Sequence, residues 1–328
     1  MAILQVGSGV VPAEAAALAR AADRVPEGAP VAILVHGFKF RSGDPRCDPH
    51  VQLYGAPAPA GALRCADWPR ALGFASDGVA DGLCLGFGWD ARADHLPNLA
   101  RRGSNGFAVA YARAREAGER LGALIAALRA RRPDLEVDLL AHSLGARVAL
   151  IAAAAGASRL VLLGAAEDAE EAAFRLDAAP AVAVHHVAAR HNDPFDLMFE
   201  AAAPRRARRG AVALGRAGLA GAPRARWMDL ELDSDALRGW LAGRGVDLAP
   251  RSPAVCHWSF YLRPGAMAFY RAILRDRAAW SVEAMRAAGA PEGLTRRWRR
   301  FAPFVPALAA RLGAGWDAVP GEEAAPAS

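Results

Sequence analysis

The chain has 328 residues, 53% of them hydrophobic, so it is long enough to bury a large core and too apolar to be disordered. Its formal net charge is +6, and Lys39 is the only lysine among 40 basic residues. An almost pure arginine surplus indicates a compositional bias rather than a surface selected for phosphate. The sequence holds no aromatic-and-basic RNA motif, zinc finger or basic helix, so we expect no nucleic-acid partner.

Short apolar runs alternate with helical patterns along the chain, which predicts an α/β fold with a mostly parallel sheet flanked by helices. In chain order, strands are expected near residues 3–6, 31–35, 83–86, 137–140, 160–163, 182–187 and 227–232. Helices are expected over residues 12–24, 108–130, 146–155, 235–242 and 265–277. No internal repeat is present.

We predict a single domain over residues 1–312, interrupted by a long insert. Residues 39–81 connect two elements and are too many for an idle loop in a compact domain. They include five prolines and large apolar side chains such as Trp68 and Phe74. The sequence therefore predicts an ordered insert rather than a simple loop.

Two further segments have biased compositions. Residues 200–226 form a Gly/Ala/Arg loop that we interpret as solvated surface, with weak contact to an anionic surface as the alternative. The sharpest run in it is Arg205, Arg206, Arg208 and Arg209. Residues 313–328 are small, acidic and proline-containing, which predicts a disordered tail.

The most informative segment is LLAHSLG, from Leu139 to Gly145. An apolar run ends at Ser143, and a helical segment follows. This is the pattern of a nucleophile elbow, a sharp strand-to-helix turn that projects a serine hydroxyl toward a base. The small residues Ala141 and Gly145 suit the crowding of such a turn. The alternative is a serine that caps a helix.

Two later segments supply a candidate acid and a candidate base. Asp193 follows the strand expected at 182–187, and Pro194 should take the chain out of regular structure there. Asp168, after the strand at 160–163, is the rival acid, although it has the character of a helix start. His257 lies just before a helical stretch near the end of the fold. The alternatives are an ordinary turn aspartate and a histidine that packs beside Trp258.

These segments, together with His36-Gly37-Phe38, resemble the α/β-hydrolase superfamily over residues 31–276. Ser143, Asp193 and His257 occur in the chain order of its triad, although Ala141 stands where the elbow usually has glycine. The resemblance implies the α/β-hydrolase fold, a Ser-His-Asp triad and ester hydrolysis without a cofactor. It also implies that the insert over residues 39–81 covers the site.

The resemblance also implies an oxyanion hole. The backbone N–H groups of Phe38 and Leu144 are the expected donors. We interpret His36 as a core histidine that orders the loop beside Phe38, because the base of this fold comes from the far end of the chain.

We therefore predict a serine hydrolase that cleaves a carboxylic ester or thioester with an apolar acyl group through an acyl-enzyme on Ser143. The candidates for its substrate pocket are Phe195, Leu197, Met198, Phe199, Trp68 and Phe74. The expected partner is a small-molecule ester. The alternative is a non-catalytic member of the fold that binds a ligand or partner.

Cysteine spacing and the N-terminal sequence bear on metal binding and location. Cys47, Cys65, Cys84 and Cys256 lack C-x-x-C spacing, so we expect no metal site, although Cys47 and Cys65 could meet in a disulfide. The N-terminus has no basic region before an apolar one, and the longest apolar run, residues 148–157, is too short to cross a bilayer. We expect a cytoplasmic protein.

Overall fold

The computed structural model describes residues 3–7, 12–57, 65–74, 81–93, 106–203, 211–219, 224–251 and 255–295. The arginine run at 205–209, the expected domain end at residue 312 and the tail at 313–328 lie outside these ranges.

Seven strands form one parallel sheet, in the order β1-β3-β2-β4-β5-β6-β7. The strands are β1 (Ile3–Gly7), β2 (Val31–Val35), β3 (Leu83–Gly88), β4 (Val137–His142), β5 (Ala157–Leu163), β6 (Ala183–Ala188) and β7 (Trp227–Glu231). All seven expected strands are present, and the α/β class is confirmed. The strand order differs from the usual order of the α/β-hydrolase fold.

Helices connect the strands. Those in the first half are α1 (Pro12–Asp23), α2 (Pro49–Gln52), α3 (Trp68–Ala71), α4 (Gly106–Arg131), α5 (Gly145–Ala152) and α6 (Ala169–Asp177). Those in the second half are α7 (Asp193–Ala202), α8 (Leu214–Ala217), α9 (Asp235–Ala242), α10 (Ser259–Leu262), α11 (Ala266–Arg275) and α12 (Val282–Ala287). None of the helices in the described ranges combines the length and apolar character needed to span a membrane.

The central strands are buried on both faces, which explains why they read as continuous apolar runs. Alternate residues of β2 show this: Val31, Ile33 and Val35 pack with α1, α4 and α5 on one face. Ala32 and Leu34 pack on the other face with α11 and the insert. Both faces of β2 are therefore covered, and the loops at the strand ends are the parts of this region that are not packed under helices.

The described residues of the insert contribute to the hydrophobic core. Trp68 is fully buried, and Phe74 is 3% exposed, in a cluster with Phe269 of α11. Their rings have no surface that could line an open cleft. Cys47 and Cys65 are both free thiols in the structure.

A buried ion pair anchors α5 beside the loop after β5. The Arg147 guanidinium donates to Glu167 Oε2 at 2.9 Å, and both side chains are buried. Arg147 also lies over the Tyr111 ring of α4, 3.7 Å from its centroid. These contacts link α4, α5 and the loop after β5. Removing one partner of the pair would leave an uncompensated buried charge and destabilise all three.

Candidate active site

Ser143 lies at the sharp turn between β4 and α5, with a left-handed φ of 55°. A non-glycine residue in this region is strained by roughly 1–3 kcal/mol and persists only where its surroundings hold it. Its N–H donates to Leu163 O at 2.9 Å, and its carbonyl accepts from the N–H groups of Ala146 and Ala166. The neighbouring strand and loop thus hold the turn.

The elbow touches the loop after β2 backbone to backbone. A Cβ added to Gly145 would lie 2.5 Å from His36 O, and one added to Gly37 would lie 2.7 Å from Ser143 Cβ. Only glycine fits at either position. No side chain caps α5, so the alternative of Ser143 as a helix cap is wrong. The strand–turn–helix geometry is that of an elbow.

His36 orders the loop that carries Phe38. It is fully buried, and its ring stacks on Trp89 at 5.5 Å between centroids. The Trp89 N–H donates to His36 Nε2 at 3.1 Å, so the Nδ1 proton is left to donate to Gly37 O. Burial lowers the pKa of His36 to about 3. A permanently neutral imidazole fits the interpretation of a core histidine.

Two backbone N–H groups flank the elbow. Within the described ranges, neither Phe38 N–H nor Leu144 N–H donates to a protein acceptor. The residue after Phe38 is Lys39, which is exposed, has a φ of 77° and donates its own N–H to Ala91 O. The turn at Lys39 thus ties this loop to the residues that follow β3. Both N–H groups are therefore available as hydrogen-bond donors.

His257 is brought to the elbow by its backbone. Its carbonyl accepts from His142 Nε2 at 3.0 Å, and the two rings are 4.5 Å apart between centroids. The neighbouring Cys256 N–H donates to His191 O. Burial lowers the pKa of His142 to about 4, so a neutral His142 donates from Nε2. Ser143 Oγ itself makes no hydrogen bond in the described part of the chain.

Asn192 is the residue hydrogen-bonded to the His257 imidazole. Its Oδ1 lies 2.6 Å from His257 Nδ1, whereas the sequence placed Asp193 in this position. A 3₁₀ turn, Arg190–Asn192, follows β6 and runs directly into α7. Asp193 is thus the first residue of α7, at the positive end of the helix.

Pro194 does not interrupt regular structure, which corrects that expectation. It lies in the first turn of α7, where a missing N–H is harmless. The rival acid, Asp168, is the N-cap of α6 and accepts from the N–H groups of Glu170 and Glu171. It also accepts from Val212 N–H. Its helix-start character is confirmed.

The pocket candidates of α7 have different environments. Phe195 stacks on His257 with 4.6 Å between ring centroids. Phe199 is buried against Phe107, whose ring lies 5.5 Å from that of Phe38. Leu197 is half-buried and Met198 is 56% exposed. Apolar ring surface therefore lies beside both the imidazole and the loop with the candidate oxyanion donor.

Sequence reasoning missed Asn192 and its partner Asp196. The Asn192 Nδ2 donates to Asp196 Oδ1 at 3.0 Å, and both residues are buried. The available signal was their i, i+4 spacing at a helix start, which brings an amide and a carboxyl together.

The electrostatics of the site favour a neutral imidazole. Burial, followed by the charges of His142, His191 and Lys39, holds the pKa of His257 well below its usual value. A histidine with a lowered pKa keeps its lone pair as pH falls below the usual titration range. Any activity that needs a neutral His257 should therefore decline only below about pH 6–7, the range in which an ordinary histidine base becomes protonated.

The described residues contain no group of three or more His, Cys, Asp or Glu side chains arranged to hold a metal ion. No protein-family model matches the chain, and no curated protein matches it.

The elbow contact can be tested by Gly145→Ala. Because the added methyl would meet backbone oxygens at 2.5 Å and 2.6 Å, we expect a loss of about 1–3 kcal/mol in the free energy of unfolding. The matched control is Gly239→Ala in α9, where nothing lies within 4 Å and a gain of about 0.5–1 kcal/mol is expected. Urea titration measures both, and an equal effect of the two changes would contradict the contact.

The partner of His257 can be tested by Asn192→Asp. A carboxylate on Nδ1 favours the imidazolium, so the pKa of His257 should rise by about 1–3 units. An NMR titration of the His257 ring protons measures it. Asp193→Asn is the comparison and should move the titration less. A lower His257 pKa in Asp193→Asn with no change in Asn192→Asp would restore Asp193 as the partner.

Proposed function

We propose that the protein is a serine hydrolase of the α/β-hydrolase type that cleaves a carboxylic ester or thioester with an apolar acyl group. Ser143 is the nucleophile and His257 the base. The observation that carries the proposal is the strained Ser143 turn, packed against the loop that presents Phe38 N–H. Strain of this kind concentrates at active sites.

The proposed first step is attack by Ser143 Oγ on the ester carbonyl carbon. His257 Nε2 takes the serine proton as the C–O bond forms. The N–H groups of Phe38 and Leu144 receive the carbonyl oxygen as it becomes an oxyanion. The imidazolium then gives its proton to the leaving alcohol or thiol as the acyl C–O or C–S bond breaks, and the acyl group stays on Ser143. Water attacks the acyl carbon while His257 takes its proton, and the imidazolium returns that proton to Ser143 Oγ as the acid leaves.

Asn192 takes the position of the usual carboxylate in this proposal. An asparagine in the third position occurs in Cys-His-Asn proteases, where it orients the imidazole through a hydrogen bond without adding charge. The 2.6 Å contact to His257 Nδ1 and the lowered pKa of His257 are consistent with that role. With Asn192 in place of a carboxylate, the imidazolium would lack a counter-ion at Nδ1. Formation of the imidazolium is therefore the step that the asparagine makes less favourable.

A second candidate is a non-catalytic protein that binds a ligand at the same place. The observation in its favour is that Ser143 Oγ and His257 are not hydrogen-bonded in the described part of the chain. Catalytic hydrogen bonds often tighten only when substrate binds, so the observation does not decide between the two. Covalent labelling of Ser143 distinguishes the two candidates.

A fluorophosphonate probe tests Ser143 directly. We expect covalent labelling at Ser143 and none in Ser143→Ala, which should lose on the order of 10⁵–10⁶ in kcat, as other triads do. The matched control is Ser234→Ala, which removes the N-cap of α9 and should keep full labelling. Labelling of another serine would refute the assignment, and a folded protein that does not label would favour the binding protein.

The acyl preference is tested with p-nitrophenyl esters of increasing chain length. A methylene buried against the half-buried rings of Phe38 and Phe107 contributes about 0.8 kcal/mol, so kcat/KM should rise up to roughly fourfold per methylene from acetate to medium chains. Phe107→Ala should flatten the rise. Phe174→Ala, on the exposed side of α6, should not. A profile that peaks at acetate would contradict an apolar acyl group.

A further inference from the structure

The Asn192 amide lies between two groups of different hydrogen-bonding capacity. Its Oδ1 faces His257 Nδ1 at 2.6 Å, and its Nδ2 faces Asp196 Oδ1 at 3.0 Å. Asn192 is 1% exposed and Asp196 is 3% exposed, so water cannot easily substitute for either contact. Hydrogen bonds thus link the three side chains in series, from Asp196 on α7 through Asn192 to the His257 imidazole.

The orientation of this amide decides where His257 carries its proton. With Oδ1 toward the ring, Nδ1 must be the N–H donor, and Nε2 has a lone pair for the serine proton. With Nδ2 toward the ring, Nδ1 becomes the acceptor and the proton moves to Nε2. That tautomer cannot act as a base toward Ser143.

Packing alone cannot choose between these orientations, because the two ends of an amide are nearly the same size. The choice needs an acceptor on the side away from the ring. Asp196 supplies it, since a carboxyl oxygen accepts from Nδ2 and an ionised carboxylate cannot donate to Oδ1.

Asp196 is itself held in place. It lies one turn after Asn192 on α7, and Gly215 of α8 packs against its carboxyl group. A Cβ on Gly215 would lie 2.7 Å from Asp196 Oδ2. Burial, and then the carboxylates of Asp193 and Glu200, raise the pKa of Asp196 well above its usual value. The ionised carboxylate is the form that fixes the amide orientation, because a protonated acid can also donate its hydroxyl to Asn192 Oδ1.

We propose that Asp196 is a positioning residue: by accepting from Asn192 Nδ2, it turns the amide so that His257 carries its proton on Nδ1 and offers a bare Nε2 to Ser143. This inference rests on the proposed role of His257 as the base. It assigns a function to a buried carboxyl that touches neither the nucleophile nor the substrate.

The primary variant is Asp196→Leu, which keeps the branched shape of the side chain and removes the acceptor. We expect kcat to fall at least about tenfold, with roughly 10⁴ as the limit set by an imidazole locked in the wrong tautomer, and KM to stay unchanged. Nitrogen NMR of the His257 ring should change from Nδ1–H to a mixture of tautomers. His257→Gln identifies the His257 signals.

The decisive variant is the double change Asn192→Asp with Asp196→Leu. Both oxygens of a carboxylate accept, so it needs no orientation, and the double variant should recover most of the kcat lost in Asp196→Leu. Such non-additivity is expected of residues that act through one contact. A double variant as slow as Asp196→Leu, or slower, would show that Asp196 only supports the fold and would overturn the proposal.

The matched control is Glu200→Gln. Glu200 is a buried carboxyl one turn further along α7, where it accepts from Ala213 N–H and Arg216. Its loss should lower the Tm and leave kcat and the His257 tautomer unchanged. If Asp196→Leu does not fold, Asp196→Asn replaces it, because this amide can accept or donate and should give a smaller kcat loss with the same rescue.

The outcomes separate this inference from the proposed function. If the natural protein labels with fluorophosphonate, and Asp196→Leu labels equally fast with the same Nδ1–H tautomer, the role of Asp196 is refuted while the hydrolase stands. If the natural protein neither reacts with the fluorophosphonate nor hydrolyses esters, the proposed hydrolase function is refuted. The NMR tautomer of His257 in Asp196→Leu then still supports or refutes the orienting role by itself.

Discussion

The site depends on a backbone contact between two loops at the ends of adjacent strands. Gly145 and Gly37 let the turn at Ser143 and the loop after β2 approach more closely than any side chain would allow. That approach brings the turn at Ser143 against the loop that carries Phe38. Because β2 and β4 pair in parallel along their whole length, the contact is a direct result of sheet register.

The strands and the elbow were accessible from the sequence because each is encoded locally. The runs 31–35 and 137–140 are apolar on both faces, as buried parallel strands require. The elbow needs only a serine between small residues at a strand end. Helix-start character identified Asp168 as a cap for a similar reason, since an acidic first turn is a local signal.

Two features of the structure depend on distances between segments remote in the sequence or on a shift of one residue. Whether 192 or 193 faces His257 is set by the 3₁₀ turn after β6, which no local pattern distinguishes from a simple loop. Trp68 and Phe74 could line a cleft or fill a core, and hydrophobicity is the same in both cases. Their packing against α11, some 200 residues away, put them in the core.

The single lysine has a practical consequence. Lys39 is exposed, and it directly follows the residue whose N–H flanks the elbow. Every other basic side chain except histidine is an arginine, which amine-directed reagents do not modify. An amine-directed dye that is not an ester would therefore have one side-chain target, next to Phe38, in addition to the α-amino group of the chain, without any engineered residue. Its emission would then report what enters there, whether or not that molecule is consumed.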